Sequence, residues 1–194
     1  MAEGSQPNVT GLVLAGGLSR RFDGEDKAWQ VFRGRPLVEH AMDLLADLDD
    51  IVISANRDLS QFARYGHRVI ADRRPGLLGP LSGIETALLE TGADALLVVP
   101  CDVIGAPFDW ASRLVAHADR VGSPWAGTRD GERLQPLLAY WSAALLPDIS
   151  RALDEDNLRV MRLIAPWEQN ALALPEEHHL LNLNTPEALA RANA

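Results

Sequence analysis

The sequence predicts an α/β fold in which a mainly parallel sheet is covered by helices on both faces, which gives three layers. Three observations lead to this prediction. Strand-like runs of aliphatic and β-branched residues alternate with helical segments through the first half of the chain, as they do in parallel α/β sheets. The runs are continuously apolar, which is typical of strands buried on both faces. The length of 194 residues suits one domain with a substantial core.

The elements of the first half follow from the spacing of apolar residues. Four strands are expected, at Val9–Leu14, 51–53, 68–71 and 95–99. The helices between them are expected at 36–45, 59–65 and 84–90, where apolar residues recur at helical intervals. Pro36 is expected at the first helical position, because that position needs no backbone N–H.

The pattern changes after about residue 105. A helix over 109–118 precedes two strand-like runs joined by Asp130-Gly131, and Asp-Gly between such runs is a hairpin signal. Helical stretches near 143–153 and after Asn157 lead to a short strand over 180–184 and a last helix capped by Thr185. We therefore expect an α+β extension packed against the parallel sheet, within a single domain of residues 1–194 that divides into halves of about 9–105 and 106–194.

Composition and charge exclude several classes of function. The net charge of −9 leaves no basic face for duplex nucleic acid or for an anionic membrane. No apolar run approaches the roughly 20 residues that span a bilayer, and the N-terminal residues lack the layout of a signal peptide. The only cysteine, Cys101, cannot form an internal disulfide or a thiolate metal cluster. We therefore expect a cytoplasmic protein with no nucleic-acid or membrane partner.

The loop after the first strand carries glycines and cations together. Gly16 and Gly17 end the apolar run, and Arg20, Arg21 and Lys27 follow within a short distance. Bare backbone N–H groups beside cationic side chains suit a nucleoside triphosphate. A solvated charged turn explains the same residues equally well. Neither a Walker loop nor a dinucleotide fingerprint is present in the sequence.

Polar side chains follow the other three expected strands, at Ser54, Asp72 and Asp102. Because ligands bind outside the carboxyl ends of parallel strands, these residues and the loop are expected to share one edge of the sheet. Asp102 directly follows a buried strand, and a carboxylate beside a triphosphate suits Mg²⁺, so metal ligation is favoured there. For Asp72, metal ligation and simple capping of the next turn are equally supported.

The loop motif resembles that of a known enzyme family. Leu-Ala-Gly-Gly-x-Ser-x-Arg-Phe followed by Asp-Lys, within 14–27, is similar to the signature loop of nucleotidyltransferases that include the molybdenum cofactor guanylyltransferases. Segments 79–83, 100–102 and 182–187 match the family in order and spacing, so the resemblance runs from about Val9 to Ala192. It implies a three-layer Rossmann-like nucleotidyltransferase fold.

The resemblance also implies roles for individual residues. Nucleotide binding falls to Leu14, Ala15, Gly16, Gly17, Lys27, Ser54, Asp72 and Asp102. Among these, Lys27 would hold the phosphates together with Arg21, and Ser54 and Asp72 would bind the nucleoside end. Lys27, Arg21 and Asp102 are the implied catalytic residues, and Asp102 is the implied ligand of Mg²⁺. Asn182 and Asn184 are the implied binding residues for a pterin acceptor.

The activity implied by the resemblance is transfer of GMP from GTP to molybdopterin, with release of pyrophosphate. It further implies contact with a molybdoenzyme or with cofactor-handling proteins. Because the Leu-Ala-Gly-Gly loop is shared more widely, CTP-dependent transfer to the same pterin and transfer to a sugar 1-phosphate stay open. A nucleotide-binding delivery protein without turnover is a third alternative. The closing Asn-x-Asn-Thr-Pro-Glu motif and the short chain favour the guanylyltransferase.

Three positions depart from the family pattern. Many relatives have Cys-Asp-x-Pro where this chain has Ile104 in the last position, and His-Pro where it has Gln135 before proline. Asp23 replaces a glycine that is common in the loop. The first two departures concern the acceptor side of the expected site.

Overall fold

The computed structural model describes residues 7–16, 26–76 and 78–194. Its strands are β1 (Val9–Leu14), β2 (Val31–Phe32), β3 (Arg35–Pro36), β4 (Ile51–Ser54), β5 (Arg68–Ile70), β6 (Ala95–Pro100), β7 (Val103–Ile104), β8 (Trp125–Asp130), β9 (Arg133–Ser142), β10 (Leu172–Ala173) and β11 (Leu181–Asn182). Its α-helices are α1 (Leu37–Asp43), α2 (Leu59–Phe62), α3 (Pro80–Thr91), α4 (Trp110–Val121), α5 (Leu146–Asp154), α6 (Val160–Ile164) and α7 (Pro186–Asn193).

A seven-stranded sheet forms the centre, in the order β10-β8-β9-β6-β1-β4-β5. The pairs β6–β1, β1–β4 and β4–β5 are parallel, as is β10–β8, whereas β9 is antiparallel to both of its neighbours. The expected mainly parallel sheet is therefore confirmed. The four predicted strands of the first half all lie side by side in its parallel part.

The core lies on both faces of this sheet. Leu12 and Val13 of β1 are fully buried but join different clusters of apolar side chains. Val13 packs in the cluster that contains Trp110 of α4, and Leu12 in the cluster that contains Ile84 of α3 and Ile149 of α5. Because successive side chains of a strand point to opposite faces, this arrangement gives the predicted three layers. Helices cover the sheet from both sides.

The start of the first helix differs from the prediction. Pro36 belongs to β3 and immediately precedes α1, so it occupies the N-cap position rather than the first helical position. The short hairpin β2–β3 reverses the chain through Arg33 and Gly34, both of which have positive φ values. Pairing of Val31 with Pro36 holds the proline in extended backbone. The expected helix 36–45 is accordingly reduced to Leu37–Asp43.

The later part of the chain extends the sheet instead of packing against it. The predicted Asp-Gly hairpin is β8–β9, and Gly131 at its tip has a φ of 55°. Strand β9 pairs with β6 over four residues, with Leu97 opposite Tyr140. The later part thus has the expected mixture of helices and strands, but β9 joins the parallel part through β6, because a partner strand there satisfies backbone groups that would otherwise be unpaired.

No helix in the described ranges combines the length and apolar character needed to cross a membrane.

Candidate functional site

The carboxyl ends of the parallel strands meet at one edge of the sheet. Leu14 lies in register with Ser54 on one side and with Pro100 on the other, and Ser54 lies in register with Ile70. The backbone N–H of Cys101 donates to the carbonyl of Leu14 at 3.2 Å. The residues that follow these strands, including Asp72 and Asp102, therefore begin at the same edge.

The N–H groups at the start of the glycine loop are already engaged. Both Ala15 and Gly16 donate their backbone N–H to the carbonyl oxygen of Ser54 at 2.9 Å. The prediction of bare N–H groups is therefore wrong for these two residues, since the strand ladder extends one step beyond β1. Their contact with a nucleotide stays a prediction and would involve other atoms. Gly17 and Arg21 lie outside the described residues.

Lys27 is the point at which distant parts of the chain come together. Its Nζ lies 2.6 Å from Oδ2 of Asp102 and donates to Oδ1 of Asn184 at 2.5 Å. The side chains of Lys27 and Asp102 retain 17% and 21% of their exposure, so the pair is reachable by a ligand. The three residues belong to the glycine loop, the end of β6 and the closing motif. One expected phosphate ligand, the expected metal ligand and one expected acceptor residue are thus in direct contact.

The backbone around Lys27 is held from both sides. Asp26 is buried and its Oδ1 accepts from the N–H of Ala28 at 3.0 Å, which caps a short 3₁₀ helix over Lys27–Trp29. Burial raises the pKa of the Asp26 carboxyl, and the hydrogen bond from Ala28 opposes that shift. Trp29 stacks on Phe62 with 4.5 Å between ring centroids. Asp26 and Trp29 therefore position Lys27, a role that their sequence positions alone did not indicate.

Asp102 follows directly on the buried Cys101. Burial raises the pKa of the Cys101 thiol, so this cysteine has the properties of a core residue rather than of a nucleophile. Within the described part of the chain, no group of three or more His, Cys, Asp or Glu side chains is arranged to hold a metal. A single accessible carboxylate fits a cation such as Mg²⁺ that takes its other oxygen ligands from phosphates and water.

Residues 179–184, here named the closing segment, connect the hairpin β8–β9 to Asp102. At one end, the N–H of Leu180 donates to Oδ2 of Asp130 at 2.9 Å. In the middle, β11 pairs antiparallel with β7, and the N–H of Leu183 donates to the carbonyl of Asp102 at 2.8 Å. At the other end lies the bond from Lys27 to Asn184. The closing segment thus forms one wall beside Lys27 and Asp102.

Asn182 meets a different set of donors. With its amide oxygen turned toward them, Asn182 accepts from Nε2 of Gln135 at 3.1 Å and from both terminal nitrogens of Arg133 at 3.1 and 3.3 Å. This orientation is assigned because the neighbours of that atom are all donors. The two asparagines of the closing motif therefore each accept from a cation, Asn184 from Lys27 and Asn182 from Arg133.

Asp72, expected at the nucleoside end, is held by a reciprocal pair of hydrogen bonds. Asn56 donates Nδ2 to Oδ2 of Asp72 at 2.9 Å and accepts at Oδ1 from the Asp72 N–H at 2.9 Å. Burial raises the pKa of the Asp72 carboxyl, while Asn56 and Ser82 oppose the shift. The sequence placed Asn56 at this edge of the sheet but did not indicate that it orients Asp72, because only the folded loop brings the two residues together.

Ser54 is buried, and its hydroxyl faces the start of α3. A Cβ placed on Gly83 would lie 2.7 Å from Oγ of Ser54 and 3.2 Å from Cδ2 of Leu14. Glycine at position 83 therefore allows α3 to approach the ends of β1 and β4. The hydroxyl of Ser54 packs at this junction, and its contact with the nucleoside stays a prediction.

The loop that follows Asp72 is tied to two helices. Arg74 forms a two-bond ion pair with Glu85 of α3, at 2.6 and 2.8 Å, and a bond with Asp154 of α5. The Arg74 guanidinium holds the pKa of the Glu85 carboxyl below its usual range, although Glu85 is buried. This pair fixes the loop against α3 and so restricts where the Asp72 carboxylate can lie.

We expect Gly105→Ala to destabilise the fold by about 2–4 kcal/mol, a large effect for one methyl group. Gly105 has a φ of 103°, and a Cβ there would lie 2.4 Å from the carbonyl oxygen of His179. Urea unfolding measures the difference. Gly122→Ala is the matched control, because Gly122 also has a positive φ but no atom within 4 Å of an added Cβ. Equal losses of unfolding free energy in both variants would mean that the closing segment moves away from the added methyl group at no cost in stability.

Comparison with known proteins assigns the family. The family model described as the MobA-like NTP transferase domain matches residues 11–171, most of the chain. This chain belongs to the MobA-like NTP transferases. Among its relatives, the molybdenum cofactor guanylyltransferase of Shewanella frigidimarina (strain NCIMB 400) is 35% identical over 187 residues, with 93% of each chain covered. The guanylyltransferase of Shewanella loihica is 33% identical over 183 residues, again with 93% of each covered.

A solved structure supports the MobA-like fold. Molybdopterin-guanine dinucleotide biosynthesis protein A from Archaeoglobus fulgidus superposes with a TM-score of 0.76 at 22% identity, covering 95% of this chain and 96% of its own. The Rossmann-like nucleotidyltransferase fold implied by the sequence motifs is thereby confirmed, and the family model and the guanylyltransferase relatives confirm the resemblance to the family. The match of the family model spans the glycine loop, Lys27, Asp72 and Asp102, and it ends before the closing segment.

Proposed function

We propose that this MobA-like NTP transferase transfers GMP from GTP to molybdopterin, forming molybdopterin guanine dinucleotide and releasing pyrophosphate. The observation that carries the proposal is the contact of Lys27 with both Asp102 and Asn184. This contact brings a cation of the nucleotide loop, a carboxylate suited to a metal and a residue of the acceptor motif within one hydrogen-bonded group. The family and the guanylyltransferase relatives support the same activity.

In the proposed reaction a phosphate oxygen of molybdopterin attacks the α-phosphorus of GTP, and the bond to the β-phosphate oxygen breaks. The protein needs no general base, since the attacking phosphate is already ionised. Its work is to align two anions and to offset the charge that develops on the leaving pyrophosphate. Lys27 supplies one positive charge at the junction of nucleotide and acceptor, and Arg21 is proposed as a second. Asp72, oriented by Asn56, is proposed to bind the nucleoside.

Mg²⁺ is proposed as the cofactor, with Asp102 as its protein ligand. When bound, it would neutralise phosphate charge and withdraw electrons from the reacting group. Asp102 has the right chemistry for it, because a hard carboxylate oxygen remains partly accessible at a strand end. Leu14, Ala15, Gly16 and Gly17 are proposed to border the nucleotide, and Asn182 and Asn184 the acceptor.

The division of the chain is part of the same proposal. Residues of about 9–105 would hold the nucleotide and residues of about 106–194 the acceptor, within a single domain. The enzyme would act in the cytoplasm and pass its product to a molybdoenzyme or to cofactor-handling proteins. Contact between Lys27 and Asn184 supports a site formed at the meeting of the two halves.

Nucleotide binding and pyrophosphate release test the proposed function. The protein is titrated with GTP, CTP and UTP in the presence of Mg²⁺, and pyrophosphate is then measured after addition of molybdopterin. We expect GTP to bind most tightly and to release pyrophosphate only when molybdopterin is present. Tighter binding of CTP or UTP would contradict the guanylyl assignment. Binding of GTP without any pyrophosphate release would indicate a delivery protein instead.

A further inference from the structure

Arg133 lies beside the proposed site, in contact with Asn182. Both terminal nitrogens of its guanidinium reach the amide oxygen of Asn182, and the buried Gln135 donates to the same atom. Among the described residues, no carboxylate lies within ion-pair distance of Arg133. Asp130 is opposite Arg133 in the hairpin register, but its Oδ2 already accepts from the N–H of Leu180. Arg133 is thus an exposed cation whose position is set by a neutral amide.

We propose that Arg133 binds the phosphomonoester group of the acceptor, and that Asn182 positions Arg133 for this contact. The inference rests on the proposed function, because it needs an acceptor that carries a phosphate. Asn182 would then be a positioning residue, with Arg133 making the contact to the anion. A guanidinium presents parallel N–H groups that match a phosphate in a two-bond contact, which an ammonium group or an amide does not.

The charge balance of the reaction supports a cation at this place. A phosphomonoester must approach a triphosphate, so two groups of like charge are brought together and repel each other. Asn182 ends β11, and Asn184 follows two residues later in the closing segment. One asparagine accepts from Lys27 and the other from Arg133. The closing segment therefore carries one cation next to Asp102 and a second one displaced toward the hairpin.

Other polar side chains near the hairpin already have partners. His179 lies 3.6 Å from Oδ1 of Asp130, and Arg129 faces Glu168 at 3.9 Å while donating to the carbonyl of Glu132. Arg133 differs from Arg129 because its guanidinium contacts only uncharged oxygen among the described residues. An anion would therefore meet the full charge of Arg133 without displacing an ion pair.

The test measures acceptor binding without turnover. Molybdopterin is titrated by its pterin fluorescence into protein that holds Mg²⁺ and a GTP analogue with a methylene bridge between the α- and β-phosphorus, which cannot release pyrophosphate. Arg133→Gln removes the positive charge but keeps an amide donor next to Asn182. Arg133→Lys keeps the positive charge but removes the parallel N–H groups of the guanidinium. We expect Arg133→Gln to weaken acceptor binding about 10- to 100-fold and Arg133→Lys to recover part of the loss. Asn182→Ala should weaken it by a smaller factor, with GTP binding unchanged in all three.

Arg151→Gln is the matched control, since Arg151 is an exposed arginine paired with Asp148 of its own helix. In turnover assays, the loss in Arg133→Gln should fall on the acceptor KM with little change in kcat. Unchanged acceptor binding in Arg133→Gln, or an equal loss in Arg151→Gln, would overturn the inference. Wild-type protein that binds molybdopterin in an Arg133-dependent way but releases no pyrophosphate would contradict the proposed function alone. Wild-type protein that does not bind molybdopterin would overturn both.

Discussion

Lys27→Ala is expected to lower kcat for pyrophosphate release by about 10³-fold, because a positioned cation at a transferring phosphoryl group contributes on that scale. Lys27 contacts Asp102 and Asn184 in a partly accessible place, so its removal leaves no fully buried charge. Stability should therefore change by less than about 1 kcal/mol. Steady-state kinetics and thermal unfolding of the same variant measure the two effects.

Lys27→Arg is the control for charge, and we expect it to retain more activity than the alanine variant. Lys27 is also the only lysine in the chain. Acylation with an amine reagent is thus confined to Lys27 and the N-terminus, and bound GTP should protect Lys27 from it. Near-normal turnover in Lys27→Ala would show that the loop lysine does not take part in the chemistry.

Asp102→Asn is expected to lower kcat by at least about 10²-fold and to remove most of the response to Mg²⁺. Asparagine is close to the same size and can still accept from Lys27, so the substitution removes charge with little change in packing. Pyrophosphate release and GTP binding are measured across a Mg²⁺ titration. A variant that keeps the wild-type Mg²⁺ dependence would place the metal on another residue.

The contact between Lys27 and Asp102 can be tested further by combining Lys27→Ala and Asp102→Asn in one protein. Because Lys27 and Asp102 are in contact, their losses should not multiply in the double variant. We expect the double variant to be little slower than the slower single variant. Multiplied losses would mean that the two side chains act at separate points of the reaction.

The fold was predictable where apolar runs are continuous. Strands β1, β4 and β6 are buried along their length, so composition alone marked them. Strands β7 and β10 have two residues each and exist only through pairing with β11 and β8, and no local pattern indicates such pairing. Pro36 was wrongly predicted at the first helical position for the same reason, since its extended conformation depends on pairing with Val31.

The candidate site likewise contains some residues that the sequence predicted and others that it did not. Lys27, Asp102 and Asn184 could be named from motifs, because chemistry restricts which residue types stand there. The roles of Asp26, Asn56 and Arg133 depend on hydrogen bonds to one particular neighbour. Such bonds form only after distant segments have packed, so residue type and spacing do not reveal them. The engaged N–H groups of the glycine loop were missed for the same reason.

The bond between Lys27 and Asn184 has a consequence for the order in which the protein becomes active. The two residues are separated by 157 positions, so they are made at nearly opposite times during synthesis. The parallel strands can pair early, but the contact that completes the site requires closure of almost the whole chain, which is a slow kind of event in folding. A nascent chain that has extended past Asp102 already carries both Lys27 and Asp102. The hydrogen bond from Lys27 to Asn184 can form only after Asn184 has been synthesised and the closing segment has packed beside Asp102.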